Sequence, residues 1–138
     1  MKKALFCLTV LLTFASFGLA ESAEAFTVVQ TGATVEINYT EPSENAVGPD
    51  GAITALTDLA FCTLYYNTGS GLVKAVDIPA SSPTGGQPMT VSYTVPFPPG
   101  MEADVTFSLT ATDTSGNESA HSASVGKRVD MLAPGVPK

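Results

Sequence analysis

The chain has 138 residues and carries thirteen acidic against six basic side chains, a formal net charge of −7. That balance argues against nucleic acid and anionic membrane surfaces as partners, because both are held by basic patches. The length suits one domain of common size, enough to bury a single core and no more.

Lys2 and Lys3 precede a largely apolar run from Ala4 to Leu19, and small residues follow. A basic start, a short apolar core and a small-residue cleavage site describe a secretory leader over residues 1–25. Cleavage after Ala20, with Gly18 at −3, or after Ala25, with Ala23 at −3, fits equally. The run is short against the roughly 20 residues of a membrane span, so no membrane insertion is expected once the leader is removed; an uncleaved anchor is the alternative. Cys7 lacks the small-residue box of a lipoprotein, which argues against a lipid anchor. Export leaves a little over 110 residues, with four basic and eleven acidic side chains beyond Ala25, still −7. Cys62 is then the lone cysteine, so an intrachain disulfide is impossible even in an oxidising compartment.

Turn signals at short intervals separate β-rich runs, the pattern of an all-β sandwich or barrel. Phe26–Thr31 and Ala33–Thr40 read as the first two strands; in the second, Val35, Ile37 and Tyr39 alternate with Thr34, Glu36 and Asn38. Residues 41–57 form a long connection with Pro42, Gly48-Pro49 and Asp50-Gly51. Ala60–Asn67 is a third strand, in which Cys62, Leu64 and Tyr66 face the core and Phe61 and Tyr65 face outward. Leu72–Ile78 and Met89–Val95 follow, separated by a Ser-, Pro- and Gly-rich loop. In residues 103–112, Val105, Phe107, Leu109 and Ala111 alternate with Thr106, Ser108, Thr110 and Thr112, a strand with one buried face. Asp113-Thr114-Ser115-Gly116-Asn117-Glu118 breaks it as a turn, and a last strand is expected to resume after Ser119. Residues 130–138, with Pro134 and Pro137, read as a tail or linker. No stretch beyond the leader shows helical periodicity. Seven strands in about 105 residues is the count of a Greek-key sandwich of two antiparallel sheets.

Several segments then resemble the fibronectin type III family, in the form found in bacterial secreted proteins. Tyr39-Thr40-Glu41-Pro42 is similar to the end of that family's second strand, where Trp is usual. Leu59–Tyr66 is similar to the third strand, with Cys62 where a core Tyr is common. Leu109-Thr110-Ala111-Thr112-Asp113-Thr114-Ser115-Gly116-Asn117-Glu118-Ser119 resembles the last two strands, and Val129-Asp130 with Ala133-Pro134 resembles the exit toward a next module. The tyrosine that often ties down a loop from the sixth strand is replaced by Val105. The likeness covers residues 26–129. It implies a seven-stranded immunoglobulin-like β-sandwich serving as a binding, adhesion or spacer module, without catalysis or cofactor.

Chemistry-bearing residues are few. A Ser/His/Asp relay through His121, the only histidine, would need Ser119, Ser122 or Asp113 in a common pocket; a surface histidine of no special role is the plainer reading, and the chain is read as not an enzyme. One His and one mature Cys do not make a zinc site. Gly69-Ser70-Gly71 and Gly85-Gly86 are turn glycines, not a phosphate loop. In a fibronectin-type sandwich the second-to-third and sixth-to-seventh strand loops lie at one end. The resemblance therefore gathers Glu41, Glu44, Asp50 and Asp58 with Asp113, Asn117 and Glu118 as a candidate binding surface. Calcium, which takes six to eight oxygens, is conceivable at Asp50, Asp113 and Glu118; the spacing fits no twelve-residue calcium loop, and Asp and Asn are default turn formers. Phe61 and Tyr65 would stack a sugar or fill a protein interface if left uncovered; cover by neighbouring loops or by the tail is the plainer expectation. The expectation is a periplasmic or extracellular monomer that binds a protein or glycan at the cell envelope. The alternative is a structural subunit assembling through strand edges or the C-terminal tail.

Overall fold

The computed structural model describes residues 26–137, and the leader with its two cleavage positions lies outside them. Seven strands follow in order: β1 Thr27–Thr31, β2 Thr34–Thr40, β3 Leu59–Asn67, β4 Leu72–Pro79, β5 Pro88–Thr94, β6 Glu102–Asp113 and β7 Val125–Asp130. They form two antiparallel sheets, β1-β2-β5 and β4-β3-β6-β7, stacked face to face. Among the described residues no helix is long and apolar enough to cross a membrane.

Period-two alternation sets the register of both sheets. Val35, Ile37 and Tyr39 lie opposite Tyr93, Val91 and Met89 across β2 and β5. Leu64 and Tyr66 lie opposite Leu109 and Phe107 across β3 and β6. A slip of one residue would turn each of these rows outward, so burial and register hold each other. Phe107, Ile37, Leu64, Val35, Val105, Val129 and Val95 are closed off from water and fill the space between the sheets. Cys62 is buried among them, at 3 % exposure.

Two bulges interrupt the alternation in the larger sheet. Leu64 pairs with Val76 and Tyr65 with Lys74, so Ala75 is an extra residue in β4. Leu59 pairs with Asp113 and Phe61 with Thr112, so Ala60 is an extra residue in β3. The first bulge puts Asp77 and Lys74, three apart, beside the outward-facing Thr63 and Tyr65.

The segment after the 113–117 turn corrects the sequence reading. The regular strand begins at Val125, not just after Ser119. Between them the chain runs beside β6 in a three-residue step: the Ser119 amide donates to the Ala111 carbonyl (2.8 Å) and the Ser122 amide to the Leu109 carbonyl (2.8 Å). The amides of Ala111 and Leu109 are in turn accepted by the hydroxyls of Ser119 and Ser122, each at 3.0 Å. Side-chain oxygens stand where a partner strand would offer carbonyls. Small residues around them, Ala120, Ala123 and Ser124, allow the close approach but give no apolar alternation to hold a ladder.

Ser122→Ala leaves the half-buried Leu109 amide without its acceptor and is expected to destabilise the fold by about 1–3 kcal/mol. The exposed Ser124→Ala serves as control and should stay within about 0.5 kcal/mol. Urea unfolding of the two variants measures both, and equal midpoints would contradict the acceptor role.

Candidate functional site

The connection between β2 and β3 is a small hairpin of its own. Glu44 and Ala55 form a bridge, the Asn45 amide donates to the Thr54 carbonyl (2.8 Å), and the Leu56 amide donates to the Ser43 carbonyl (2.9 Å). Its tip is a turn at Gly48–Gly51, where Gly51 takes a φ of 79° and the Asp50 carboxylate accepts the Ala52 amide at 3.1 Å. Leu56, buried at its base, fixes this hairpin onto the end of the sandwich.

The turn between β6 and β7 is organised by Asp113. One of its carboxylate oxygens accepts the amides of Ser115 and Asn117, and the other accepts the Asn117 side-chain amide, all at 2.8 Å. Those donors, led by Asn117, hold the Asp113 carboxyl below the usual carboxylate range. Gly116, at φ 86°, supplies the left-handed position that the turn requires. The two loops meet where the Thr114 amide donates to the Asp58 carbonyl (2.9 Å). Between them lies a cleft of about 340 Å³, floored by Leu56 and Leu59 and rimmed by Glu44, Asn45, Asp113, Asn117 and Glu118. No Lys or Arg lines it.

The structure thus brings together four of the seven residues singled out in the sequence: Glu44, Asp113, Asn117 and Glu118. Asp58 joins the loops through its backbone. Asp50 sits at the hairpin tip and does not line the cleft. Glu41 is only 3 % exposed and faces away: its carboxylate accepts the Ser81 amide (2.7 Å) and the Ser81 hydroxyl, tying β2 to the β4–β5 loop. A charge this deep is tolerated because both oxygens are hydrogen-bonded. Among the described residues no three His, Cys, Asp or Glu side chains are gathered to hold a metal ion, so Asp50, Asp113 and Glu118 do not form a calcium shell.

Glu118 links the cleft to a polar roof over the outer face of the larger sheet, which the sequence reading missed. The three-residue step of the 118–124 segment places Glu118 above Thr110 and His121 above Ser108. The Thr110 hydroxyl donates to Glu118 Oε1 at 2.6 Å and the Tyr65 hydroxyl to the same oxygen at 2.9 Å. His121 Nδ1 lies 3.1 Å from Ser108 Oγ, and its ring meets Tyr65 edge-on at 4.8 Å. On the other flank the Thr63 hydroxyl donates to Asp77 (2.7 Å), which pairs with Lys74 at 2.8 Å. Thr63, Ser108 and Thr110, outward-facing in their strands, are consequently buried.

The signal that would have revealed the roof is the double spacing of three, Ser119/Ser122 and Glu118/His121, in a segment too poor in apolar residues to be a strand. Ser119 and Ser122 serve the backbone and Asp113 serves its own turn; neither serine hydroxyl nor Asp113 bonds His121. Phe61 and Tyr65 face outward as expected, but Lys74 lies 6.0 Å from the Phe61 ring centre and Tyr65 is engaged by Glu118 and His121.

Compared with protein-family models, curated proteins and solved structures, the chain finds no match in any of the three.

The Thr110 and Tyr65 hydroxyls hold the Glu118 carboxyl below its ordinary value. A carboxyl lowered in the folded state contributes stability in full above its unfolded value of about 4.3, and loses it as pH falls through the lowered folded value. Glu118→Gln is therefore expected to flatten part of the fall in melting temperature as pH drops below about 4.5. Asp77 and Asp113, also lowered, keep the remainder. Calorimetry across that range checks it, and an unchanged slope would refute the role given to Glu118.

Proposed function

We propose that the protein is an exported, non-catalytic binding module with a fibronectin type III-like Greek-key sandwich, working through its loop end at the cell envelope. The fold reading is supported by the division of seven strands into three and four, with the chain crossing between sheets after β2, β4 and β5. The observation that carries the binding reading is the meeting of the 41–58 hairpin with the 113–118 turn around one cleft, on loops fixed by their own hydrogen bonds. Loops positioned by a rigid scaffold are where binding is commonly placed, because their side chains carry little of the core.

The rim is acidic and amide-rich without a basic side chain, so the complementary partner surface is a cationic protein segment. Within the rim the duties divide. Asp113 and Glu118 are committed to turn and roof, whereas Glu44 and the nearby hairpin-tip residue Asp50 are exposed. Glu44, which forms no side-chain hydrogen bond among the described residues, is left for a partner, whereas Asp50 also holds the hairpin tip through the Ala52 amide.

A photo-crosslinking residue at position 44 is expected to capture a discrete envelope protein, while one at Ser70, in the β3–β4 turn at the opposite end, captures none. Glu44→Lys should weaken capture, read by a crosslinker at Asn45, by roughly threefold to tenfold without lowering the melting temperature. Equal capture by the wild type and the charge-reversed variant would sink the assignment.

A further inference from the structure

The smaller sheet stops one strand short on the side of β5. β5 pairs with β2 alone, and among the described residues no strand pairs with its other edge. Two bonds at the ends of the ladder fix which way its backbone groups point: the Glu41 amide donates to the Gln87 carbonyl (3.0 Å) and the Val95 amide to the Ala33 carbonyl (2.9 Å). In the same register Met89, Val91 and Tyr93 are the residues bonded to β2, so the amides and carbonyls of Thr90, Ser92 and Thr94 point outward. Among the described residues none of those groups has a hydrogen-bond partner, and all three residues are exposed.

Sheet edges are usually blunted by charge, by a bulge or by cover. β4 carries the bulge at Ala75 with Lys74 and Asp77, β7 carries Lys127 and Arg128, and β1 packs against β7. β5 has neither charge nor bulge, and its one proline is its first residue. The strand across the sandwich supplies a second observation. Val73, Val76 and Ile78 lie opposite Tyr66, Leu64 and Cys62 and so share the core face of the larger sheet. Their exposure nevertheless rises along β4, from 8 % at Ile78 to 43 % at Val73. Tyr66 meets Tyr93 of β5 across the core, with ring centres 6.0 Å apart. Beyond Tyr93 the smaller sheet has no further strand to cover Val73.

We propose that the β5 edge takes an extended segment of a partner protein as a fourth strand of the smaller sheet, antiparallel to β5. The edge itself sets the occupant's chemistry: a chain offering amides and carbonyls at alternate residues meets Thr90, Ser92 and Thr94 in full. The residues of that segment bonded to them share the outer face, where two threonines and a serine favour small polar neighbours. The residues between them turn inward beneath β4, where Val73 and Val76 favour apolar side chains. The fitting segment is uncharged, about five or six residues long, and alternates polar with apolar. A second copy paired β5 to β5 fits less well, because it would bring its own β4 into the space that β4 already overhangs. The edge shares no residue with the loop-end cleft.

A capped peptide of alternating threonine and valine, about six residues long, is a suitable probe for the full chain. Adding it is expected to slow amide hydrogen exchange at Thr90, Ser92 and Thr94 saturably, and to leave the edges of β4 and β7 unchanged. N-methylation of the peptide's threonines, whose amides face β5, should abolish that protection. N-methylation of its valines, whose amides face away, should preserve it. Ser92→Pro removes the central donor without breaking a bond to β2 and should weaken peptide binding about tenfold. Val73→Ser, an exposed substitution on β4, should weaken it about threefold, and it carries the test if Ser92→Pro does not fold. Glu44→Lys should bind the peptide as the wild type does, which separates this edge from the loop end. Absence of protection at β5, equal protection by the two methylated peptides, or unchanged affinity in either folded variant overturns the proposal. So does protection of β5 that rises with protein concentration in the absence of peptide, which would assign the edge to a second copy.

Discussion

The second half of β6 has no regular strand on its outer side, and its amides must still be satisfied. Everything distinctive about this sandwich follows from how that requirement is met. Ser119 and Ser122 lend their hydroxyls to the amides of Ala111 and Leu109, and doing so at every third residue sets the conformation of the whole 118–124 segment. The step of three against β6's step of two places Glu118 over Thr110 and His121 over Ser108. A backbone need thus dictates a side-chain arrangement. The same segment closes one side of the hollow at the end of β2 and, through Glu118, one side of the acidic cleft.

Much of the fold was legible because alternation is a local signal. Val35/Ile37/Tyr39 and Val105/Phe107/Leu109 announce their buried faces in the chain, and their burial is nearly complete. The bulges at Ala60 and Ala75 were not legible, since a skipped residue depends on the partner strand's register and leaves no mark in composition. Burial of Glu41 was hidden for a related reason: its partner Ser81 lies forty positions away in a loop whose path the sequence does not specify. The start of the last strand at Val125 was not legible either, because residues 119–124 are a row of small polar residues with no apolar alternation to mark where a ladder begins. That row has the spacing of side-chain acceptors and lacks the apolar beat of a ladder.

The acidic residues at the loop end, similar in the sequence, do four different jobs in the structure. Glu41 is a buried tie between strand and loop, Asp113 the organiser of a turn, Glu118 the acceptor for two hydroxyls, and Glu44 an exposed rim residue. Hydrogen-bond donors near a carboxylate decide which of these it becomes. Net charge alone does not distinguish a residue that holds the scaffold from one that is left for contact.

The described chain enters at Phe26, beside the loop end, and leaves past Met131, which lies 3.9 Å from where a side chain on Gly32 would begin, at the opposite end. β1 and β7, the first and last strands, run the same way and touch across the two sheets. Tension applied through the two ends would therefore pull along the strands rather than across them. Rows of backbone hydrogen bonds would be loaded together, in shear, instead of opening one at a time like a zip. A domain strung this way resists extension at a given stability better than one whose ends leave from the same side.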